Sequence, residues 1–172
     1  MSEWQVLSRR SVYLSDSVSL ELAELELTDG TRLEHHVIRS AFDLVAVVAR
    51  DERGVLCLRR HRFIPDRWVW DVPAGKVERG ESVVDAAVRA SVEETGWRPD
   101  GARVVASYYP LPGLSDQKIS VCIADTAQQV AAPNPNEAER VEWLEPDRLR
   151  ELMQSGEVDG PSLVALLWTI SD

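Results

Sequence analysis

Apolar and polar residues alternate along residues 18–27, VSLELAELEL. Alternation of this kind is typical of a strand that is buried on one face. Asp29 and Gly30 then predict a turn, and residues 31–38 are expected to return as the second arm of a hairpin. A small sheet has too little core to be stable alone. We therefore expect residues 3–40 to pack on the rest of the chain or on a second subunit.

Two compact apolar runs follow, at residues 43–49 and 55–58, with a turn at residues 51–54 between them. They predict a buried hairpin. Residues 81–95 contain neither Pro nor Gly and precede Gly96, which predicts a helix that ends at a glycine C-cap. The remaining predicted elements are strands at 68–72, 104–109, 119–124 and 141–144, an acidic loop at 128–139, and helices at 146–154 and 163–170, the last capped by Ser162.

The order of these elements predicts an α+β fold, an α/β/α sandwich with a helix on each side of a mixed sheet. With 172 residues, the chain is long enough to bury a core of its own. We expect two regions, residues 1–40 as an N-terminal antiparallel β-extension and residues 41–172 as the main domain.

The chain is acidic, with 29 Asp and Glu residues against 19 Lys and Arg residues and a formal net charge of −10. This charge argues against a nucleic acid or an anionic membrane as partner. It permits a small anionic ligand if a cation lies between the ligand and the protein. The first ten residues lack an apolar signal core. Cys57 and Cys122 lie in apolar runs rather than in a disulfide framework, so we expect a cytoplasmic protein.

The segment with the most chemistry is residues 75–97, GKVERGESVVDAAVRASVEETGW. It combines a glycine loop with a helix that bears Glu93 and Glu94. Residues three or four apart share a helix face, so position 90 lies on the face of these two carboxylates. Clustered carboxylates suit a hard cation such as Mg²⁺. From the residues alone, a solvated acidic helix face is the alternative.

The same segment closely resembles the Nudix box, G-x5-E-x7-R-E-U-x-E-E-x-G-U, in which U is an apolar residue. The resemblance implies the Nudix fold and the hydrolysis of a diphosphate linked to another group, with Mg²⁺ or Mn²⁺ as cofactor. The residues in register with the motif are Gly75, Glu81, Arg89, Glu93, Glu94, Gly96 and Trp97.

The chain departs from the Nudix box at Ala90, where the motif has a Glu that the resemblance implies to be a metal ligand, and at Ser91, where it has an apolar residue. Four outcomes stay open. The remaining ligands suffice with water, Glu81 turns inward, the substrate carries the metal, or the site is inactive. The metal ligands implied by the resemblance are Glu93, Glu94, the carbonyl of Ala74 and Glu81.

Further features resemble the ADP-ribose pyrophosphatase branch of the family. Pro112 lies sixteen residues after Gly96, within the loop PLPGLSD at residues 110–116, and Arg62 lies where the branch has an Arg. The resemblance implies that Arg62, Gly75, Pro112 and Trp4 bind substrate. A proline-fixed turn and a solvated charge run are the alternatives for the loop and the Arg.

The resemblance also implies catalytic roles. Glu137, with Glu139 as the second choice, is expected to act as general base on the attacking water. Arg89 is expected to orient the Glu cluster that includes Glu93, unless it forms an ordinary surface pair with it. The branch forms homodimers in which an N-terminal sheet packs on the partner, and Trp4 either stacks on a base there or belongs to the core.

We therefore expect a metal-dependent enzyme that hydrolyses ADP-ribose or a related nucleoside diphosphate sugar to AMP, or another nucleoside monophosphate, and a sugar phosphate. The alternative is a Nudix-fold nucleotide-binding or regulatory protein with impaired catalysis, which Ala90 favours.

Overall fold

The computed structural model describes residues 3–170, and the chain divides into two compact units. The first comprises the described residues up to Asp43 together with Tyr109–Lys118, and the second comprises Leu44–Tyr108 and the chain from Ile119 onward. The segment Tyr109–Lys118 joins the first unit through hydrogen bonds such as Ile38 N–H to the Leu114 carbonyl, 2.8 Å. The predicted division into residues 1–40 and 41–172 did not place Tyr109–Lys118 with the N-terminal residues.

The first unit is built on a three-stranded antiparallel sheet of order β1-β2-β3. Its strands are β1 (Gln5–Leu14), β2 (Val18–Glu26) and β3 (Arg32–Ser40). The predicted N-terminal β-extension is thus present, with β2 and β3 as the expected hairpin. Every residue of β1 is exposed, whereas Ala23 and Leu25 of β2 are buried.

The second unit contains a seven-stranded mixed sheet and a separate two-stranded one. The main path runs β12-β5-β4-β10-β9, with β6 paired to β5, β7 paired to β4, and β8 paired to β11. The pairing of β4 with β10 is parallel, and the others are antiparallel. The strands are β4 (Leu44–Asp51), β5 (Gly54–Arg62), β6 (Arg67–Asp71), β7 (Ala74–Lys76), β8 (Trp97–Asp100), β9 (Arg103–Tyr108), β10 (Ile119–Ala124), β11 (Thr126–Gln129) and β12 (Arg140–Leu144).

Helices cover both faces of this sheet, as expected for an α/β/α sandwich. They are α1 (Val83–Thr95), α2 (Pro146–Ser155) and α3 (Gly160–Ile170). Because side chains alternate between the two faces of a strand, β4 contributes side chains to two hydrophobic cores. Val45 and Val47 pack with α1, and Ala46 and Val48 belong to the core that α2 and α3 complete. Among the described residues, no helix is long and apolar enough to span a membrane.

The helix α1 begins and ends at the residue types that cap helices. The hydroxyl of Ser82 accepts a hydrogen bond from the Asp85 N–H at 3.1 Å, so the helix starts two residues later than predicted. Gly96 ends it in the left-handed conformation, with φ of 76°. A Cβ at Gly96 would lie 2.3 Å from the Ala131 carbonyl oxygen, so this position requires glycine.

The prediction that Ser162 caps the last helix is wrong, because α3 begins at Gly160. The Ser162 hydroxyl instead donates to Asp71 Oδ1 at 2.9 Å and accepts from the Val72 N–H at 3.1 Å. The strand β8 was not predicted, and its partner β11 occupies the first two residues of the expected loop at 128–139.

Candidate active site

Two arginines of β5 lie on one face of the sheet, because Arg60 and Arg62 are two residues apart on the strand. Both contact Asp71 at the end of β6. Arg62 Nη2 donates to Asp71 Oδ2, and Arg60 Nε lies 3.1 Å from the same oxygen. The Asp71 side chain is 1% exposed, and its other oxygen accepts from Ser162. A buried carboxylate thus fixes the position of both guanidinium groups.

Glu94 of α1 forms a bidentate ion pair with Arg60. Arg60 Nη1 donates to Oε1 at 2.8 Å, and Nη2 donates to Oε2 at 3.0 Å. Oε2 also accepts from the Ala74 N–H at 3.0 Å. Each of the two side chains is 11% exposed. Burial raises the pKa of the Glu94 carboxyl, and the hydrogen bonds from Arg60 and Ala74 act in the opposite direction.

A third arginine, Arg89, connects the helix to the loop before it. Its Nε and Nη2 donate to the two oxygens of Glu81, both at 2.8 Å, and Nη1 donates to Glu93 at 3.1 Å. Nη2 also donates to the Lys76 carbonyl at 2.8 Å. The hydrogen bonds that Arg89 donates to Glu81 are the main reason that the pKa of Glu81 is lowered from 4.5 to about 2. The expected contact of Arg89 with Glu93 is therefore present, and Arg89 also binds Glu81.

Ala90 packs directly against the glycine that opens the motif. A Cβ added at Gly75 would lie 2.7 Å from the Ala90 Cβ. Ala90 is buried and lies one helical turn before Glu94. A methyl group therefore occupies the position where the Nudix box has a carboxylate.

The expected metal ligands form two groups, Ala74 with Glu94 and Glu81 with Glu93. Glu81 and Glu93 bind Arg89, whereas both oxygens of Glu94 bind Arg60. Among residues 3–170, no group of three or more His, Cys, Asp and Glu side chains is placed to hold a metal ion. The residues present do not fit the divalent ion that the resemblance implies, because the carboxylates are neutralised separately by two arginines.

Two cavities adjoin Arg60 and Arg62. One, of about 600 Å³, is bounded by the end of β5 and the loop between β11 and β12. The other, of about 470 Å³, includes Ala74, Gly75, Lys76 and Glu94 in its wall. The two arginines line both cavities, so they lie in the wall that the cavities share, at their junction.

The loop between β11 and β12 places both candidate bases at the larger cavity. Glu137 Oε2 lies 3.6 Å from Arg60 Nη1, and its side chain is 46% exposed. Glu139 is held by Arg59 through a salt bridge and through its own N–H, which donates to the Arg59 carbonyl at 2.8 Å. Glu137 therefore faces this cavity with fewer constraints than Glu139.

Other predicted binding residues lie in the first unit. Trp4 precedes β1 and is exposed, and Pro112 belongs to the segment Tyr109–Lys118. Their roles in binding substrate stay predictions. Sequence reasoning missed Arg60 as a site residue. The signal was its position two residues before Arg62, which places both side chains on one strand face.

The fold and the motif around α1 define a member of a hydrolase family. The model of the NUDIX domain matches residues 40–166, so the chain belongs to the Nudix family. It is 34% identical over 154 residues to CMP-5'-(N-acetyl-N-hydroxy-3-aminopropyl)phosphonate hydrolase of Streptomyces rubellomurinus, covering 89% of this chain and 75% of that protein. This relative confirms the family at the level of sequence.

ADP-ribose pyrophosphatases are also similar to this chain. That of Bacillus subtilis is 24% identical over 123 residues, covering 72% of this chain and 66% of the enzyme. That of Escherichia coli strain K12 is 28% identical over 107 residues, covering 59% and 51%. A crystal structure of an ADP compounds hydrolase has a TM-score of 0.85 at 17% identity, covering 99% of this chain and 94% of that one, which shows the shared fold.

Proposed function

We propose that this chain hydrolyses the diphosphate of a nucleoside diphosphate compound, with ADP-ribose or a related nucleoside diphosphate sugar as the substrate. The products would be AMP, or another nucleoside monophosphate, and a sugar phosphate. The observation that carries the proposal is the position of Arg60 and Arg62 at the junction of two cavities, with Glu137 3.6 Å from Arg60. The relatives that act on ADP-ribose and on a CMP-linked phosphonate support this class of substrate.

The smaller cavity suits the diphosphate. Its wall contains the cationic side chains of Arg60, Arg62 and Lys76 and the carboxylates of Glu94 and Asp159. Arg62 is 41% exposed, and a guanidinium has five N–H donors. Donors not directed at Asp71 therefore remain for phosphate oxygens, which arginine binds with charge-assisted hydrogen bonds.

The larger cavity suits the nucleoside, because exposed apolar side chains of Phe63, Ile64 and Trp68 line it. Trp68 already contacts the His61 ring, with centroids 5.5 Å apart. Exposed apolar surface of this kind is typical of ligand-binding clefts. Contacts of Gly75, Pro112 and Trp4 with substrate belong to the same proposal.

Glu137 is the proposed general base. Its carboxylate would accept a proton from water as the water oxygen forms a bond to phosphorus. The bond from that phosphorus to the bridging oxygen breaks, and the bridging oxygen leaves with the second phosphate. Glu139 is the second choice, because Arg59 holds it. Arg62 and Arg60 would stabilise the charge that develops on the phosphate oxygens.

Nudix enzymes generally use divalent cations, whereas the carboxylates of this chain are not arranged to bind a divalent cation. The proposal therefore takes no step through Mg²⁺ or Mn²⁺. We also propose a cytoplasmic homodimer. The support for a dimer is the exposed apolar surface of β1, which includes Val12, Tyr13 and Leu14.

The test is a hydrolysis assay followed by ³¹P NMR, with ADP-ribose, two nucleoside diphosphate sugars, diadenosine diphosphate and a CMP-linked phosphonate as substrates. Each substrate is incubated with Mg²⁺, with Mn²⁺ and with EDTA. We expect AMP and ribose 5-phosphate from ADP-ribose. The absence of product from every substrate under all three conditions would contradict the proposal.

The second candidate function is nucleotide binding without turnover, which the buried Ala90 and the Arg60–Glu94 ion pair favour. It predicts that ADP-ribose binds in calorimetry and is recovered unchanged. Product formation that is lost in Glu137→Gln but kept in Glu151→Gln would exclude it, since Glu151 is an exposed residue of α2 paired with Arg148.

A further inference from the structure

We propose that the Arg60 guanidinium is the resident cation of this Nudix site, so that the chain holds a diphosphate through Arg60 and Arg62 without a bound divalent ion. Glu94 is then a positioning residue for Arg60. The inference rests on the proposed function only for the identity of the ligand as a diphosphate.

Two carboxylates that are shielded from solvent match the charges of Arg60 and Arg62. Arg60 and Arg62 face the carboxylates of Asp71 and Glu94, and Arg60, Asp71 and Glu94 are all shielded from solvent. Arginine stays protonated in proteins. Of the other carboxylates nearby, Asp159 is paired with Arg67, and Glu137 lies 3.6 Å from Arg60 Nη1. A divalent ion added at Glu94 would therefore bring two positive charges against the one negative charge of Glu137, and buried unpaired charge is unfavourable.

The geometry at Glu94 also opposes a metal ion. Its two oxygens accept three hydrogen bonds, two from Arg60 and one from the Ala74 N–H. A carboxylate offers about four acceptor positions, so only about one remains at Glu94 for a metal ion, next to the positive guanidinium of Arg60. Parallel N–H···O bonds of this kind are among the strongest polar contacts in proteins.

The absence of a carboxylate at Ala90 matches the single positive charge of Arg60. Position 90 lies on the same helix face as Glu94, one turn earlier, and carries a methyl group packed on Gly75. Of the two carboxylates that the Nudix box has at positions 90 and 94, only Glu94 remains, and a singly charged guanidinium neutralises it. Glu81 and Glu93 do not substitute for the missing ligand, because Arg89 holds both.

Arg60 has donors left for a ligand. Its Nε is buried 3.1 Å from Asp71 Oδ2, so the donors open to a ligand are those of the two Nη atoms. Nη1 and Nη2 each donate one hydrogen bond to Glu94, and each carries a second hydrogen. Because Arg60 also lines both cavities, an entering phosphate meets it at their junction.

The first test titrates Mn²⁺ alone into the native protein and follows the free ion by electron paramagnetic resonance. We expect the signal of free Mn²⁺ to rise with each addition as steeply for the native protein as for the control variant Glu94→Gln. One equivalent of Mn²⁺ bound by the native protein and lost in Glu94→Gln would overturn the inference.

The second test measures binding of ADP, the probe for a nucleoside diphosphate, by calorimetry in EDTA and in Mg²⁺. We expect equal affinity in the two buffers. Arg60→Lys keeps the charge and removes the fork, and we expect it to weaken ADP binding about tenfold. Arg148→Lys, on the exposed surface of α2, is the matched control. Binding that requires Mg²⁺, or that Arg60→Lys leaves unchanged, would contradict the proposal.

The third test restores the carboxylate. The double variant Arg60→Gln/Ala90→Glu frees Glu94 and places a second carboxylate one turn before it, so we expect it to bind Mn²⁺ where the native protein does not. A thermal melt establishes that it folds, and if it does not, the single variant Arg60→Gln, which also frees the Glu94 carboxylate, is titrated with Mn²⁺ in its place. A folded double variant without Mn²⁺ binding would count against the inference.

These outcomes are separate from those of the hydrolysis assay. Binding of ADP in EDTA with no turnover of any substrate would support the inference and overturn the proposed function. Turnover that depends on one Mn²⁺ bound at Glu94 would overturn the inference and support the proposed function.

Discussion

Arg60 reaches across from β5 to α1 and binds both carboxylate oxygens of Glu94, at 2.8 and 3.0 Å. This pair joins the sheet to the helix of the Nudix motif inside the protein. Removal of one partner from a buried ion pair leaves the other charge uncompensated, which typically costs about 3–5 kcal/mol.

Arg60→Gln is therefore expected to lower the free energy of unfolding by several kcal/mol, with about 3–5 kcal/mol as the range. The double variant Arg60→Gln/Glu94→Gln is expected to recover most of this loss, because two neutral amides replace two charges. Denaturant unfolding of the native protein, both single variants and the double variant gives the coupling energy. If the double variant is as unstable as the sum of the two single variants, the pair is not coupled as the structure indicates.

Gly75→Ala tests the contact with Ala90. The new Cβ would lie 2.7 Å from the Ala90 Cβ, so the strand or the helix has to shift. We expect a loss of about 1–3 kcal/mol in unfolding free energy, the usual cost of overpacking. Gly160→Ala is the control, since a Cβ there meets nothing within 4 Å. Equal melting temperatures for the two variants would contradict the close packing.

The Arg89–Glu81 contact predicts a specific dependence on pH. The pKa of Glu81 is lowered from 4.5 to about 2, so the folded state favours the ionised carboxylate. Its contribution to stability is present above pH 4.5 and is lost as the pH falls towards about 2, because the unfolded state takes up the proton first.

The measurement is chemical unfolding of the native protein and of Glu81→Gln across this pH range. We expect the native protein to be the more stable one at neutral pH, and we expect the difference to shrink in acid. Glu151→Gln serves as the control, because its surface pair with Arg148 contributes little. A difference that does not change with pH would show that Arg89 does not stabilise the Glu81 carboxylate.

Ser162→Ala removes two buried hydrogen bonds, one to Asp71 and one from the Val72 N–H. We expect destabilisation of about 1–3 kcal/mol, because Asp71 and the Val72 N–H lose a buried partner. Ser8→Ala, which removes a hydroxyl from the exposed strand β1, is expected to change stability little. Thermal melts compare the stability of the two variants. Equal melting temperatures would mean that the Ser162 hydroxyl contributes nothing to stability.

Glu137→Gln and Glu139→Gln distinguish the two candidate bases. If the hydrolysis proposal holds, Glu137→Gln is expected to lower kcat by about 10²–10⁴ and to leave KM nearly unchanged, as for loss of a general base. Glu139→Gln is expected to have the smaller effect, because Arg59 holds its carboxylate. The reverse order would assign the base to Glu139.

Periodicity predicted most of the fold because strands and helices that pack on one core carry regular apolar patterns. The α1 helix and the β2–β3 hairpin were both expected, and both are present. Contacts between distant segments were not predictable in this way. The segment Tyr109–Lys118 joins β3 through backbone hydrogen bonds, which leave no pattern in side-chain polarity.

The same limit applies to the site. Motif spacing identified Glu81, Arg89, Glu93 and Glu94, and it showed that a carboxylate is missing at Ala90. It did not identify Arg60, because the pairing of a strand residue with a helix residue 34 positions later depends on how the elements pack. The partner of each carboxylate was therefore the information that the sequence lacked.

The alternation of β4 between two cores has a consequence for cooperativity. Val45 and Val47 belong to the core under α1, while Ala46 and Val48 belong to the core under α2 and α3. A displacement of β4 on one side of the sheet therefore disturbs packing on the other side. We expect the amide protons of α1 and α2 to exchange through a common opening reaction, and the site helix to unfold together with the helices on the opposite face.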